Sequence, residues 1–183
     1  MARHLLAVAA VGMLSAAPAS TPGVQPREKY YDLHGTTEKE LLAAIKERGP
    51  EGELRGLTEW SVTWTFRTTK QGRGDCFVAS VATRTDITVT LPRWVDASDA
   101  SDELRARWNR ALSNLKRHEQ LHVANAMRTS KAIEEAVRSL PSTADCDALE
   151  ADINTTANRE LSAGRRRDTS YDLDENERRS QLN

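Results

Sequence analysis

The stretch KRHEQLHVANA, residues 116–126, decides how the rest of the chain is read. It contains His118-Glu119-Gln120-Leu121-His122, an H-E-x-x-H pattern. On an α-helix, side chains four residues apart share one face. Two imidazoles spaced in this way can reach one metal ion. The glutamate between them, about 100° round the helix, is then placed to act as a general base rather than as a ligand. The plainer reading is a pair of half-buried histidines hydrogen-bonded to a sheet, and the flanking sequence has to separate the two.

Working outward, Leu104, Trp108, Leu112, Leu115, Ala126, Ile133, Val137 and Leu140 recur at three- and four-residue steps. That period predicts one long amphipathic helix over about 102–140, stopped by Pro141. His118 and His122 prolong the apolar stripe of Leu104, Trp108, Leu112 and Leu115. A helix that needed only a core would carry leucine there, so the metal reading is favoured. Zinc held by three protein ligands keeps one position for water and lowers the pKa of that water to about 7. Glu119 would take the water's proton and pass it to a leaving amine, which is peptide or amide hydrolysis. His118 and His122 supply two ligands only, so a third must come from elsewhere.

Residues 144–164, ADCDALEADINTTANRELSAG, predict a second helix. Its inner face is Cys146, Leu149, Ile153, Ala157 and Leu161, and Gly164 is expected to close it. Antiparallel to the first, about 20 residues at 1.5 Å each return the chain roughly 30 Å, level with His118 and His122. The polar tail 165–183 then crosses the site, carrying Asp172, Asp174, Glu175 and Glu177. Arg165-Arg166-Arg167 reads as a solvated linker.

Ahead of the long helix, Trp60, Val62, Trp64 and Phe66 alternate with Ser61, Thr63 and Thr65, the pattern of a half-buried strand. KQGRGD (70–75) reads as a turn, and residues 76–92, rich in Val, Thr and Ile, as one long strand or two short ones ended by Pro92. A short strand is expected at 29–35. A helix follows over 36–50, with Thr37 and Glu40 as a capping box and Gly49-Pro50 as its stop. The tryptophans read as core, and His34 as a surface residue. Sheet first and helices after is an α+β fold. It comprises a small antiparallel sheet with one helix, then a long active-site helix with a C-terminal helix packed on it.

Residues 1–19 read as a secretory signal: Arg3 and His4, an apolar run from Leu5 to Leu14, and Ala17-x-Ala19 before the cut. Residues 20–28 are a Pro/Gly/Ser-rich linker, and 29–183 form a single domain. The apolar run is too short to span a bilayer, and no stable membrane span is expected after cleavage. The protein is therefore expected to be exported, periplasmic or secreted. Its two cysteines, Cys76 and Cys146, are expected to pair in an oxidising compartment. With 26 Lys+Arg against 27 Asp+Glu, no basic excess points to nucleic acid. The expected partner is a peptide or protein substrate, and the oligomeric state is left open.

The ordered set YYDLHG (30–35), a capped helix ending in GP (49–50), TEWSVTW (58–64), Cys76, LPRW (91–94), Trp108, HEQLH (118–122), Cys146 and YDLDE (171–175) resembles DUF922. That is a bacterial family of exported, predicted zinc-dependent proteases. The resemblance runs from about Tyr30 to the C-terminus and implies a zincin-like metalloprotease. It also implies a tail of the form Tyr-Asp-x-x-Thr-x-His-Gly, then a Gln. Tyr171 and Asp172 match that tail and Gln181 falls in register. Glu175, Glu177 and Arg178 stand where the family has threonine, histidine and glycine. Glu177 is accordingly the first expectation for the third zinc ligand, and Asp172, in the matching Tyr-Asp pair, the second. The competing expectations are a catalytically inactive exported binding or envelope protein with the same fold, and a disulfide-stabilised envelope module without metal.

Overall fold

The computed structural model describes residues 25–70, 72 and 74–180, with side chains as far as 174. The signal sequence and its cleavage point, the first part of the linker and the side chain of Glu177 lie outside the described residues. The fold is α+β. The element order is β1 (Arg27–Leu33), α1 (Glu38–Arg48), β2 (Leu57–Lys70), β3 (Cys76–Trp94), α2 (Asp102–Arg138) and α3 (Cys146–Ser180), with short 3-10 turns after α1 and β3.

Local chemistry accounts for α1. Thr37 Oγ1 accepts the backbone N–H of Glu40 at 3.3 Å, and Glu40 Oε2 accepts the N–H groups of Thr36 and Thr37. Gly49 ends the helix, its N–H donating to the carbonyl of Ile45. Buried Leu41 then joins Leu33, Trp94, Leu104 and Trp108 in one apolar cluster. The rings of Trp94 and Trp108 meet edge to face at 5.6 Å, and Trp108 is buried in the core as expected.

The sheet is mixed, not the antiparallel sheet expected from the sequence. β2 and β3 form a long antiparallel hairpin, and β1 lies parallel to β3 on its other edge, in the order β1-β3-β2. Alternating hydrophobicity says that a segment is a strand. It does not say in which direction the strand runs, and here α1 sets the direction by carrying the chain from β1 across to the far edge. Pro92 does not stop β3 either. It pairs with Tyr31 of β1, while β2 has already ended opposite Thr90. At Pro92 the β2 side of β3 is therefore an open edge, where a residue without an N–H costs no ladder bond.

The two helices cover one face of the sheet. Ile133 and Val137 of α2 with Leu149, Ile153 and Ala157 of α3 pack on Val62, Cys76 and Val81, and Leu115 and Ala126 pack on Ile87, Val89 and Leu91. The expectation that Gly164 closes the last helix fails: α3 continues to Ser180 as one helix. Gly164 is a contact residue. A Cβ there would lie 2.2 Å from Thr129 Oγ1, so the missing side chain is what lets α3 approach α2. No helix among the described residues is long and apolar enough to cross a membrane.

Cys76 and Cys146 form a disulfide, with Cα atoms 5.2 Å apart and a sequence separation of 70. Cys76 also exchanges both backbone hydrogen bonds with Thr143. The start of β3 is thereby tied to the start of α3. Closing a loop of this length is worth about 4 kcal/mol in the chain-entropy account. The double variant Cys76→Ser/Cys146→Ser is expected to lose about that much stability, read as a lower urea midpoint with a steeper slope, because the freed denatured chain exposes more surface. An unchanged midpoint would show that the bridge contributes nothing to the folded state.

Candidate metal centre

The site is built from two helical pairs that share one spacing. His118 and His122 are one turn apart on α2, and Asp168 and Asp172 are one turn apart on α3. Antiparallel packing turns the pairs toward each other. His118 Nε2 and His122 Nε2 lie 3.1 Å apart, and Asp172 Oδ1 lies 3.1 Å from the first and 3.2 Å from the second. Among the described residues, these three form the group able to hold a metal ion, with one donor atom each. Tetrahedral zinc with bonds of 2.0–2.1 Å holds its donors about 3.3 Å from one another. The observed triangle is within a few tenths of an ångström of that, and two imidazoles with a carboxylate are an ordinary zinc donor set. The residues fit the ion.

Asp168 orients the site from behind. Its Oδ1 accepts from His122 Nδ1 at 3.0 Å and from Asn125 Nδ2 at 2.7 Å, and its Oδ2 accepts from the indole N–H of Trp60. A carboxylate only accepts, so in the tautomer that can hold a metal the proton is on His122 Nδ1, facing Asp168, and the Nε2 lone pair faces the cleft. Asn125 is fully buried. It also donates to the carbonyl of Gly164, and it accepts from Arg167 Nε at 2.8 Å. Arg167, expected in a solvated linker, instead reaches Asn125 and Thr129 across the helix pair. Asp168→Asn would set an amide N–H against a donor from His122, Asn125 or Trp60. Loss of such a partner typically costs 10- to 100-fold in metal affinity. The same loss is expected here in a competition titration with a chromophoric chelator, and an unchanged zinc affinity would remove Asp168 from the site.

Glu119 faces the strand β2. Its side chain is only 4% exposed, and Oε2 accepts from Thr58 Oγ1 at 2.6 Å. Gly56 presses against the same carboxylate: a Cβ at that position would lie 2.4 Å from Oε1. Any larger residue at 56 would push Glu119 aside. The carboxylate and the three donor atoms open on one cleft of about 240 Å³, lined further by Arg55, Leu57, Thr58 and Leu115.

A family model described as "bacterial protein of unknown function (DUF922)" matches residues 28–179, which include every residue of this cleft. The chain belongs to the DUF922 family. No curated protein and no solved structure matches it.

In this DUF922 chain the structure brings together His118, His122 and Glu119, which the sequence singled out, and adds Asp172, the second expectation for a third ligand. Glu177, the first expectation, lies on the backbone of α3 with its side chain outside the described residues. His34 is exposed and pairs with Asp96 at 3.3 Å, away from the cleft. Sequence reasoning missed Asp168, Asn125, Trp60, Thr58 and Gly56. A signal for Asp168 existed. Asp168 and Asp172 repeat the four-residue spacing of the histidines, but only on a helix that continues past Gly164. Trp60, expected in the core, is half-buried and also spends its N–H on Asp168.

Proposed function

We propose that the protein is an exported zinc-dependent peptidase. The observation that supports it is the convergence of His118 Nε2, His122 Nε2 and Asp172 Oδ1 beside the buried carboxylate of Glu119 in one cleft. These three residues would hold the ion. The chemistry zinc supplies in such a site is Lewis acidity, which polarises a carbonyl and makes water nucleophilic near neutral pH. Thr58 fixes Oε2 of Glu119, so Oε1 is the atom that takes a proton from water and delivers it to the departing amine nitrogen. The cleft begins at Arg55–Thr58, the entry to β2, and β2 is an edge strand. An extended peptide can add to such an edge by main-chain hydrogen bonds. Residues 1–19 serve as the export signal ahead of a single domain, in keeping with the disulfide. In this reading neither nucleic acid nor membrane is a partner.

The test is reconstitution. Mature protein stripped with chelator and given back stoichiometric zinc is expected to cleave a quenched peptide library, and the stripped protein is not. Zinc bound tightly at His118 and His122 with no cleavage of any peptide would make the chain a binding protein of the same fold. No zinc bound would leave a disulfide-stabilised envelope module.

A further inference from the structure

A second cavity, of about 450 Å³, lies on the other side of Glu119 from the metal cleft. Its lining comes from three elements: Pro26 ahead of β1, Val89 and Leu91 of β3, and Lys116, Gln120 and Val123 of α2, with Glu119 in the shared wall. Helical spacing explains why one residue serves both cavities. On α2, Leu115, His118, Glu119 and His122 form the stripe that lines the metal cleft. Lys116, Glu119, Gln120 and Val123 form the adjoining stripe, one step further round. Glu119 is where the two stripes meet.

The chemistry of the second cavity differs from that of the first. Val89 and Leu91 are buried, and Val123 is half-buried beside them. Of the charges there, Glu28 and Lys116 are both exposed and opposite in sign, and the buried Glu119 carboxylate is already bonded to Thr58 on the side of the metal cleft. The volume falls within the usual range for pockets that hold small organic groups. It is also almost twice that of the metal cleft.

We propose that this cavity is the substrate's side-chain subsite, taking an apolar side chain of leucine or phenylalanine size from the residue next to the scissile bond. The proposal rests on the peptidase reading and gives it a substrate class. A carbonyl presented to Oε1 of Glu119 has the cavity as its near neighbour across the same residue. The side chain flanking that carbonyl is the one set toward the cavity, where Pro26, Val89, Leu91 and Val123 supply apolar contacts. Val89, Leu91 and Val123 become the specificity-determining residues.

The experiment measures binding, not turnover. Two series of peptide hydroxamates are titrated into zinc-loaded mature protein, with glycine or leucine as the variable residue on either side of the hydroxamate. In one series the leucyl compound is expected to bind at least about tenfold more tightly than the glycyl one, as filling an apolar pocket requires. Val123→Trp and Gln120→Trp fill the cavity from α2 at two different points. Either variant that keeps its zinc and its melting temperature is expected to reduce the preference below about threefold without changing glycyl binding. Selectivity absent from the wild type, or surviving the filled cavity, overturns the subsite. Failure of the glycyl compound to bind zinc-loaded protein overturns the peptidase reading itself, because that compound makes no use of the cavity.

Discussion

Glu119→Gln is expected to lower kcat on a peptide substrate by about 10²- to 10⁴-fold, the range contributed by a positioned general acid–base group. KM, zinc content and melting temperature are expected to stay as in the wild type. The substitution suits the site for a structural reason. Thr58 Oγ1 donates to Oε2 at 2.6 Å, and a glutamine carbonyl oxygen can accept the same bond. Glu119 is not one of the three converging donors, so its loss leaves the ion's partners in place. What disappears is the ability of the Oε1 position to accept a proton. Steady-state kinetics with zinc measured on the same sample checks the prediction. Equal kcat for variant and wild type would sink Glu119 as the base and favour an inactive binding protein.

Asp172→Ala is expected to weaken zinc binding on the order of a hundredfold or more, because a partner one shell further out already costs 10- to 100-fold. Glu177→Ala is expected to change it little. In a continuous α3, position 177 lies five residues beyond Asp172, about 500° of helical rotation and 7.5 Å along the axis. The residues that share the face of Asp168 and Asp172 recur at intervals of three and four, not five. Asp172 Oδ1 sits 3.1 and 3.2 Å from the two imidazole nitrogens. Competition titrations of the two variants side by side decide the third ligand. A large loss in Glu177→Ala with none in Asp172→Ala would reverse the assignment, and would require α3 to depart from a regular helix past Tyr171.

The legible parts of this protein are those governed by short-range rules. Thr37 and Glu40 form the capping box that their spacing announces, because both partners lie within one turn. The three- and four-residue period of Leu104, Trp108 and Leu115 produces α2, and the alternation from Trp60 to Phe66 produces β2, because each period matches its own backbone geometry. The face shared by His118, Glu119 and His122 follows from that helix alone. The pairing of Cys76 with Cys146 follows from there being two cysteines and no other choice.

Two misjudged residues and one misjudged strand direction mark where local rules stop. Pro92 lies inside β3 because β2 ends before it, a matter of strand length on a different segment. β1 runs parallel to β3 because of the path taken through α1. Gly164 reads locally as a helix stop, but it is kept inside α3 by its close approach to Thr129, a residue 35 positions earlier.

The sequence by itself determined the half of the site carried on α2: two imidazoles and a carboxylate at positions fixed by the helical repeat. Only the tertiary structure decided the other half. Asp172 completes the donor triangle, Asp168 bonds His122 at Nδ1, and Gly56 with Thr58 holds Glu119. None of these is near the histidines in the chain. They arrive because apolar burial packs α3 back along α2 and lays both on the sheet. Burial is non-directional, so no local pattern states which polar residues it brings together. Their positions follow from the register of the packed helices, which depends on Gly164, Asn125 and the disulfide acting across the whole fold.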